Sequence, residues 1–146
     1  MGTQVLSPIK ILIVEDNPGD VELAREALKT SKLANELTVV NDGKSALALL
    51  EAAQKDGTLP DLVFLDLNLP GIPGTDVLKA IKTTPATARI PVVVLTSSRA
   101  ERDIVKSYDL HANCYVTKPI DFSQFIEVIQ SIEDFWFTIV RLPGRP

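Results

Sequence analysis

The chain has 146 residues, of which 45% are hydrophobic and 23% charged, and its 19 acidic and 15 basic residues give a formal net charge of -4. This length suits one globular domain with a substantial core. A mildly acidic chain without a basic cluster is a poor candidate for binding nucleic acid or an anionic membrane surface. With one cysteine, no signal peptide and no run of about 20 apolar residues, we expect a cytoplasmic protein.

Apolar runs of strand length alternate with segments of helical period along the chain. The predicted strands cover residues 9–14, 37–40, 62–65, 91–96 and 113–117. The predicted helices lie near residues 21–28, 46–50, 77–81, 100–110 and 122–132, and Asp121 is well placed to cap the last one. Strict alternation predicts a single α/β domain with a doubly wound, five-stranded parallel sheet covered by helices on both faces.

Asp66 directly follows the apolar run 62–65, at a position where a carboxylate is rarely buried without a partner. Either the strand ends at Leu65 and Asp66 begins a solvated turn, or nearby groups require the carboxylate. In open α/β sheets, ligands bind beyond the carboxyl ends of the strands, where the strand order reverses. With the flavodoxin-like order 2-1-3-4-5, the ends of the first and third strands would be neighbours.

Polar residues stand at the carboxyl ends of four predicted strands. They are Glu15 and Asp16 after the first, Asp66 after the third, Thr96 in the fourth and Lys118 after the fifth. Three converging carboxylates repel one another, and such a site raises a pKa or binds a cation. Oxygen ligands suit a hard cation such as Mg²⁺, whereas one histidine and one cysteine provide no conventional zinc cluster. Each residue alone could be a cap or a strand end, but together they predict a functional site.

The same residues lie in motifs of a known family. The motifs are ILIVEDN, LDLNLPGIPG, VVVLTS and YVTKP, and with them the chain resembles a CheY-like response regulator, the receiver domain of two-component signalling, along nearly its whole length. The stretches VEDNPGDVELAREAL, LHANCYVTKP and FWFTIVRLP are similar to single-domain regulators that partner phytochrome-type sensor kinases. Pro73 departs from the family, which often has aspartate there, and we expect a changed loop rather than lost chemistry.

The resemblance implies a flavodoxin-like receiver fold and a phosphorelay function. Asp66 would accept a phosphoryl group from the phosphohistidine of a sensor histidine kinase, of the phytochrome type. Mg²⁺ would be held by Asp16, Asp66 and the backbone carbonyl of Asn68, with Glu15 reaching it through water. The protein would not be an enzyme beyond self-catalysed phosphotransfer and autodephosphorylation.

The resemblance also implies a switch. Lys118 and Thr96 would contact phosphoryl oxygens, and the bond between Lys118 and Pro119 would be cis. Thr96 and Tyr115 would couple the phosphoryl group to a protein-interaction face formed by the fourth helix, the fifth strand and the fifth helix.

Two rival functions stay open. An aspartyl phosphatase of the haloacid-dehalogenase type also carries Asp-x-Asp after an apolar strand, but Asn68 replaces the second acid here and no cap domain is present. A pseudo-receiver would use the fold only as a scaffold, and the chemically competent site positions argue against it.

We expect one receiver domain over residues 1–146, with a core of about residues 8–133, a C-terminal extension of about residues 134–146, and no DNA-binding output domain.

In the last helix, one apolar stripe can cover the sheet, and it consists of Phe122, Phe125, Ile129, Ile132 and Trp136. A second stripe has no room on the same sheet, which predicts a homodimer through Val128, Phe135, Trp136 and Phe137. The alternative is that the tail folds back over its own domain.

Overall fold

The computed structural model describes residues 8–97 and 114–135. Within them, five strands and four helices follow one another along the chain. Their bounds are β1 Ile9–Val14, α1 Pro18–Lys29, β2 Asn35–Val40, α2 Gly43–Asp56, β3 Leu62–Asp66, α3 Gly74–Thr83, β4 Val92–Thr96, β5 Cys114–Thr117 and α4 Phe122–Phe135. The last predicted helix is therefore α4, and the helix predicted near residues 100–110 lies outside the described residues.

The five strands form one parallel sheet in the order β2-β1-β3-β4-β5. This confirms the predicted α/β fold and strand order. In the register, Val14 of β1 lies opposite Leu65 of β3, and Asp66 lies opposite Leu95 of β4. The carboxyl ends of β1 and β3 are therefore neighbours at the point where the strand order reverses, which is where this class of sheet binds ligands.

Side chains that alternate along the strands form two hydrophobic cores, one on each face of the sheet. On the face covered by α1 and α4, the rings of Phe64 and Phe125 lie 5.5 Å apart between centroids. On the face covered by α2 and α3, Val63 and Leu65 pack with Leu78. All five residues of β3 are buried. Since burying one such side chain contributes about 1.5–3 kcal/mol, the central strand is a rigid support for the residues at its end.

Side chains of polar residues cap the helices that flank the site. Oδ1 of Asn17 accepts a hydrogen bond of 3.0 Å from the Asp20 amide at the start of α1. At the start of α4, Oδ1 of Asp121 accepts from the Gln124 amide at 2.8 Å, and Oε1 of Gln124 accepts from the Asp121 amide at 2.9 Å. This reciprocal pair is a capping box, and it confirms Asp121 as the predicted cap.

The apolar stripe of α4 covers the sheet only in part. Phe125 and Ile129 are buried in the core, but Phe122 is 43% exposed, so the prediction that it covers the sheet is wrong. Phe122 is the first residue of α4, and because side chains on a helix lean toward its N-terminus, a residue at this position has less of the sheet to cover than residues in the later turns. Val128 is half-buried and packs partly against the core. No described helix has the length and hydropathy of a membrane span.

A buried carboxylate joins the end of α4 to the turn between α1 and β2. Oε2 of Glu133 accepts hydrogen bonds from Oγ of Ser31 at 2.8 Å and from the Lys32 amide at 2.6 Å. Glu133 is 7% exposed, and these two donors account for a carboxylate at a position where acids are rarely buried. The side chain of Phe135, together with Trp136 and Phe137, lies outside the described residues, so the dimer interface stays a prediction.

Candidate functional site

The three predicted acids come together at the carboxyl ends of β1 and β3. One carboxylate oxygen from each of Glu15, Asp16 and Asp66 lies within 4.8 Å of the others. Glu15 and Asp66 are each 1% exposed, whereas Asp16 is exposed to solvent. A group of carboxylate oxygens open to solvent on one side has the chemistry of a site for a hard divalent cation, which prefers oxygen ligands and retains several waters.

Asp66 is the last residue of β3 and is buried. The alternative in which the strand ends at Leu65 and Asp66 enters a solvated turn is therefore wrong. Oδ1 of Asp66 accepts a hydrogen bond of 2.9 Å from the Asn68 amide. The Asn68 side chain turns to the next strand end, where its Nδ2 donates to Oγ of Ser97 at 2.9 Å. The polypeptide after β3 thus holds one oxygen of the carboxylate in place.

Lys118 extends its ammonium group into the acidic cluster. Its Nζ lies 2.9 Å from Oε1 of Glu15, 3.0 Å from Oδ2 of Asp66 and 2.8 Å from Oδ2 of Asp20. Its backbone amide donates to the Thr96 carbonyl at 2.8 Å, which fixes the chain beyond β5 against the end of β4. One cation is therefore shared among three carboxylates, two from the stretch between the end of β1 and the first turn of α1 and one from the end of β3.

Asp20 is a site residue that the sequence reasoning missed. It lies in the first turn of α1, and its carboxylate is 27% exposed. An acid in the first turn of a helix is common for reasons of the helix dipole alone, so its residue type carried little information. Asp20 could have been predicted from its position four residues after Asp16. The loop after β1 begins at the carboxyl end of the sheet, so the first turn of the helix that follows lies near the site.

Burial and charge shift two pKa values in the site. Burial, together with the neighbouring Asp66 carboxylate, raises the pKa of Glu15 from 4.5 to about 7. Burial alone would lower the pKa of Lys118, but its hydrogen bonds to Asp20, Glu15 and Asp66 outweigh that effect and raise its pKa. The lysine therefore stays charged, and the acids have excess negative charge that a divalent cation would neutralise.

The remaining predicted residues surround this cluster. Thr96 is the last residue of β4 and is 2% exposed. Tyr115 of β5 lies opposite Val94 in the register and is half-buried against the core on the α2 and α3 face. The peptide bond between Lys118 and Pro119 is cis. The structure thus places Thr96 and the Lys118-Pro119 bond at the same edge of the sheet as the acids, whereas Tyr115 lies two residues before the end of β5.

The loop after β3 approaches the acidic cluster closely. The Gly74 amide, at the start of α3, donates a hydrogen bond of 3.1 Å to the Leu67 carbonyl. A Cβ atom at Gly74 would lie 2.5 Å from the Asp66 carbonyl oxygen, a distance that real Cβ contacts essentially never show. Pro73, the position that departs from the family, precedes α3 and provides no side-chain cap. The changed residue therefore lies in this loop and not among the acids.

Comparison with known proteins places this geometry in a family. Residues 11–130 match the response regulator receiver domain. The response regulator Rcp1 from Synechocystis sp. is 45% identical over 139 residues, which make up 94% of this chain and 95% of Rcp1. The chain belongs to the response regulator receiver family. The predicted resemblance is confirmed, and receiver domains bind a divalent metal ion at their acidic cluster.

Solved structures show the same fold. The phosphorylated cyanobacterial phytochrome response regulator RcpA is 45% identical with a TM-score of 0.78, over 94% of this chain and 100% of that one. The Mn²⁺-bound form of Rcp1 is 45% identical with a TM-score of 0.76, again over 94% and 100%. The bacteriophytochrome response regulator AtBRR is 44% identical with a TM-score of 0.74, over 90% of this chain and 96% of that one.

Proposed function

We propose that this protein is a phosphorelay response regulator in which Asp66 accepts a phosphoryl group from the phosphohistidine of a sensor histidine kinase. The observation that carries the proposal is the setting of the Asp66 carboxylate. It is buried at the end of the central strand, with Oδ1 held by the Asn68 amide at 2.9 Å and Oδ2 at 3.0 Å from Nζ of Lys118. A fixed carboxylate beside a cation is suited to attack phosphorus.

In the transfer step, an oxygen of Asp66 forms a bond to phosphorus while the bond between phosphorus and the histidine nitrogen breaks. The products are an acyl phosphate on Asp66 and the free histidine of the kinase. Phosphoryl transfer requires mainly positioning and neutralisation of charge from the protein. The Asn68 amide orients the nucleophile, and Lys118, whose pKa is raised, offers a permanent positive charge to a phosphoryl oxygen.

Mg²⁺ is the metal that we propose for the acidic cluster. Asp16, Asp66 and the backbone carbonyl of Asn68 would hold it directly, and Glu15 would reach it through water. When bound, the metal would neutralise the acids and the charge of the phosphoryl group. The fit rests on the oxygen atoms of three carboxylates within 4.8 Å of one another, and the relative Rcp1 has a Mn²⁺-bound form.

The signal would leave the site through Thr96 and Tyr115. The Thr96 hydroxyl would donate to a phosphoryl oxygen, and Tyr115 would then turn inward and change the face formed by β5 and its neighbouring helices. The half-buried position of Tyr115 supports this role, because a side chain at the edge of the core can move without opening a large cavity. Receiver-domain response regulators are generally signalling proteins rather than enzymes.

The partner kinase that we propose is a phytochrome. Support comes from the relatives, since RcpA is a phytochrome response regulator and AtBRR a bacteriophytochrome response regulator. A homodimer through α4 and the C-terminal extension, a cytoplasmic location, and the absence of nucleic-acid binding stay predictions from the sequence.

Acetyl phosphate with Mg²⁺ tests the proposed chemistry. The wild type should gain one labile phosphoryl group, and Asp66→Asn should gain none. Asp56→Asn, at the exposed end of α2, removes the same charge and should label as the wild type does. Equal labelling of the Asp66 variant would refute the assignment. An unlabelled wild type would instead favour the pseudo-receiver, and steady turnover of a phosphomonoester would favour the phosphatase.

Transfer from purified kinases then identifies the partner. Kinases that sense red light are the first to try, and their radiolabelled phosphohistidine should pass to the wild type within seconds to minutes but not to Asp66→Asn. Faster transfer from an unrelated kinase would refute the phytochrome assignment while leaving the phosphoacceptor role intact.

A further inference from the structure

Lys118 has a carboxylate partner that lies outside the acidic cluster. Its Nζ is closest to Asp20 Oδ2, at 2.8 Å, and lies 2.9 Å from Glu15 and 3.0 Å from Asp66. Among the described residues, the acids close enough to share a cation are Glu15, Asp16 and Asp66. Asp20 is therefore bonded to the lysine without being one of the acids that could hold the metal.

The start of α1 holds Asp20 in this position. Its amide donates to Oδ1 of Asn17 at 3.0 Å, and the amide of Val21 donates to the Asn17 carbonyl at 3.1 Å. Pro18 is the first residue of the helix, where its fixed backbone angle stabilises the first turn. The Asp20 carboxylate thus stands on a turn whose backbone is already fixed, so its contact with Lys118 requires no further ordering of the backbone.

A phosphoryl group on Asp66 would compete with Asp20 for the same ammonium. Oδ2 of Asp20 and Oδ2 of Asp66 each lie within 3.0 Å of Nζ of Lys118, so the two oxygens are less than about 6 Å apart. The phosphoryl group adds negative charge to Asp66. The Asp20 carboxylate repels that charge, and it also holds the cation that would neutralise it. Both effects weaken the binding of a phosphoryl group.

We propose that Asp20 is a positioning residue that competes with the phosphoryl group on Asp66 for the ammonium of Lys118, and so limits how tightly the site holds that group. The inference rests on the proposed function of Asp66. In the unphosphorylated protein, Asp20 shares the ammonium of Lys118 with Glu15 and Asp66. After phosphorylation, Lys118 is divided between Asp20 and a phosphoryl oxygen.

The affinity for beryllium trifluoride, a non-covalent analogue of the phosphoryl group, measures this competition. At saturating Mg²⁺, Asp20→Asn should bind the analogue roughly two- to fivefold more tightly than the wild type, the range for one partly exposed ion pair. The difference in affinity between Asp20→Asn and the wild type should shrink as ionic strength rises, because salt screens the charge of the Asp20 carboxylate in the wild type. A residue that only supported the helix would not produce that salt dependence.

Two further variants complete the experiment. Glu22→Gln removes a carboxylate from the same helix whose partner is Arg25, at 3.6 Å, and it should bind the analogue as the wild type does. Asp20→Ser is a second test of the same position, so that one poorly folded variant does not decide the outcome. If both Asp20 variants bind the analogue no more tightly than the wild type, the inference about Asp20 is overturned. The proposed function of Asp66 stands in that case, as long as the wild type itself binds the analogue. A wild type that binds neither the analogue nor a phosphoryl group overturns both.

Discussion

Gly74 lies against the backbone of Asp66, so that a Cβ atom at this glycine would fall 2.5 Å from the Asp66 carbonyl oxygen. The contact joins the start of α3 to the end of β3. Neither atom belongs to a flexible side chain, so an added methyl group can be accommodated only if α3 or the strand end moves. The absence of a Cβ at Gly74 thereby allows the start of α3 to pack against the backbone at the end of β3.

Gly74→Ala should lower the free energy of unfolding by about 2 kcal/mol or more, the cost of overpacking, and should slow labelling of Asp66 by acetyl phosphate. Gly19→Ala is the matched control, because a Cβ there would meet only Oδ1 of Asn17, at 3.2 Å. Its free energy of unfolding should fall by clearly less, at most about 1 kcal/mol, because the Asn17 side chain that caps α1 can shift, whereas the backbone at Asp66 cannot. Chemical denaturation measures both variants, and equal stability of the two would show that the contact is unimportant.

Asp16→Asn should weaken Mg²⁺ binding about tenfold or more and slow phosphorylation, because it removes one full negative charge and one proposed ligand. Calorimetric titration of the metal into the purified protein measures the affinity. Asp56→Asn serves again as the control for charge. If Asp16→Asn and the wild type bind Mg²⁺ equally, the metal site lies elsewhere.

Glu15 makes the stability of the metal-free protein depend on pH. Its folded-state pKa is about 7 and its ordinary value is 4.5, so the folded protein binds more protons than the unfolded chain between these values. The contribution of Glu15 to the free energy of unfolding should therefore be highest below pH 4.5. It should fall as the pH rises from 4.5 to 7 and be lowest above pH 7. The loss amounts to roughly 3 kcal/mol.

Urea denaturation between pH 4.5 and 7.5 checks this dependence. Glu15→Gln should lack the part of the pH dependence that is due to Glu15, and added Mg²⁺ should restore the stability of the wild type at pH 7 and above. Parallel pH profiles for the two metal-free proteins would contradict the shifted pKa.

Thr96→Ala should still accept a phosphoryl group but transmit it poorly, since the variant lacks the hydroxyl that we propose donates to a phosphoryl oxygen. Phosphorylation-dependent NMR shifts at Tyr115 and along β5 should shrink while labelling of Asp66 persists. Thr83→Ala removes an exposed hydroxyl at the end of α3 and should leave both readouts unchanged. If the phosphorylation-dependent shifts are undiminished in Thr96→Ala, Thr96 has no role in the switch and is only the last residue of β4.

The predicted homodimer is tested by sedimentation. The wild type should be a dimer at micromolar concentration, and the double variant Phe135→Ala with Trp136→Ala should be a monomer, because aromatic anchors dominate interface energies. Phe122→Ala is the control, since this exposed phenylalanine lies at the opposite end of α4. A wild type that is monomeric with and without phosphorylation would rule out the interface.

The sheet and most of its site were predictable from local patterns. A buried strand appears in the sequence as an apolar run, and an acid directly after such a run is easily recognised. Glu15 and Asp66 could therefore be identified without knowing which residues lie next to them. The rule that open α/β sheets bind ligands beyond the carboxyl ends of their strands, taken with the flavodoxin-like strand order, then predicted that the acids and Lys118 meet at one edge.

Only the tertiary structure decided the contacts between distant segments. The pairing of Asp20 with Lys118, the burial of Glu133 under the turn at Ser31 and the approach of Gly74 to Asp66 each join elements whose relative positions no periodicity encodes. The exposure of Phe122 was also not predictable from the sequence pattern. Its spacing is that of the buried stripe, but it is the first residue of α4. Periodicity along a chain reports which side of one element is apolar, whereas a contact depends on how two elements pack.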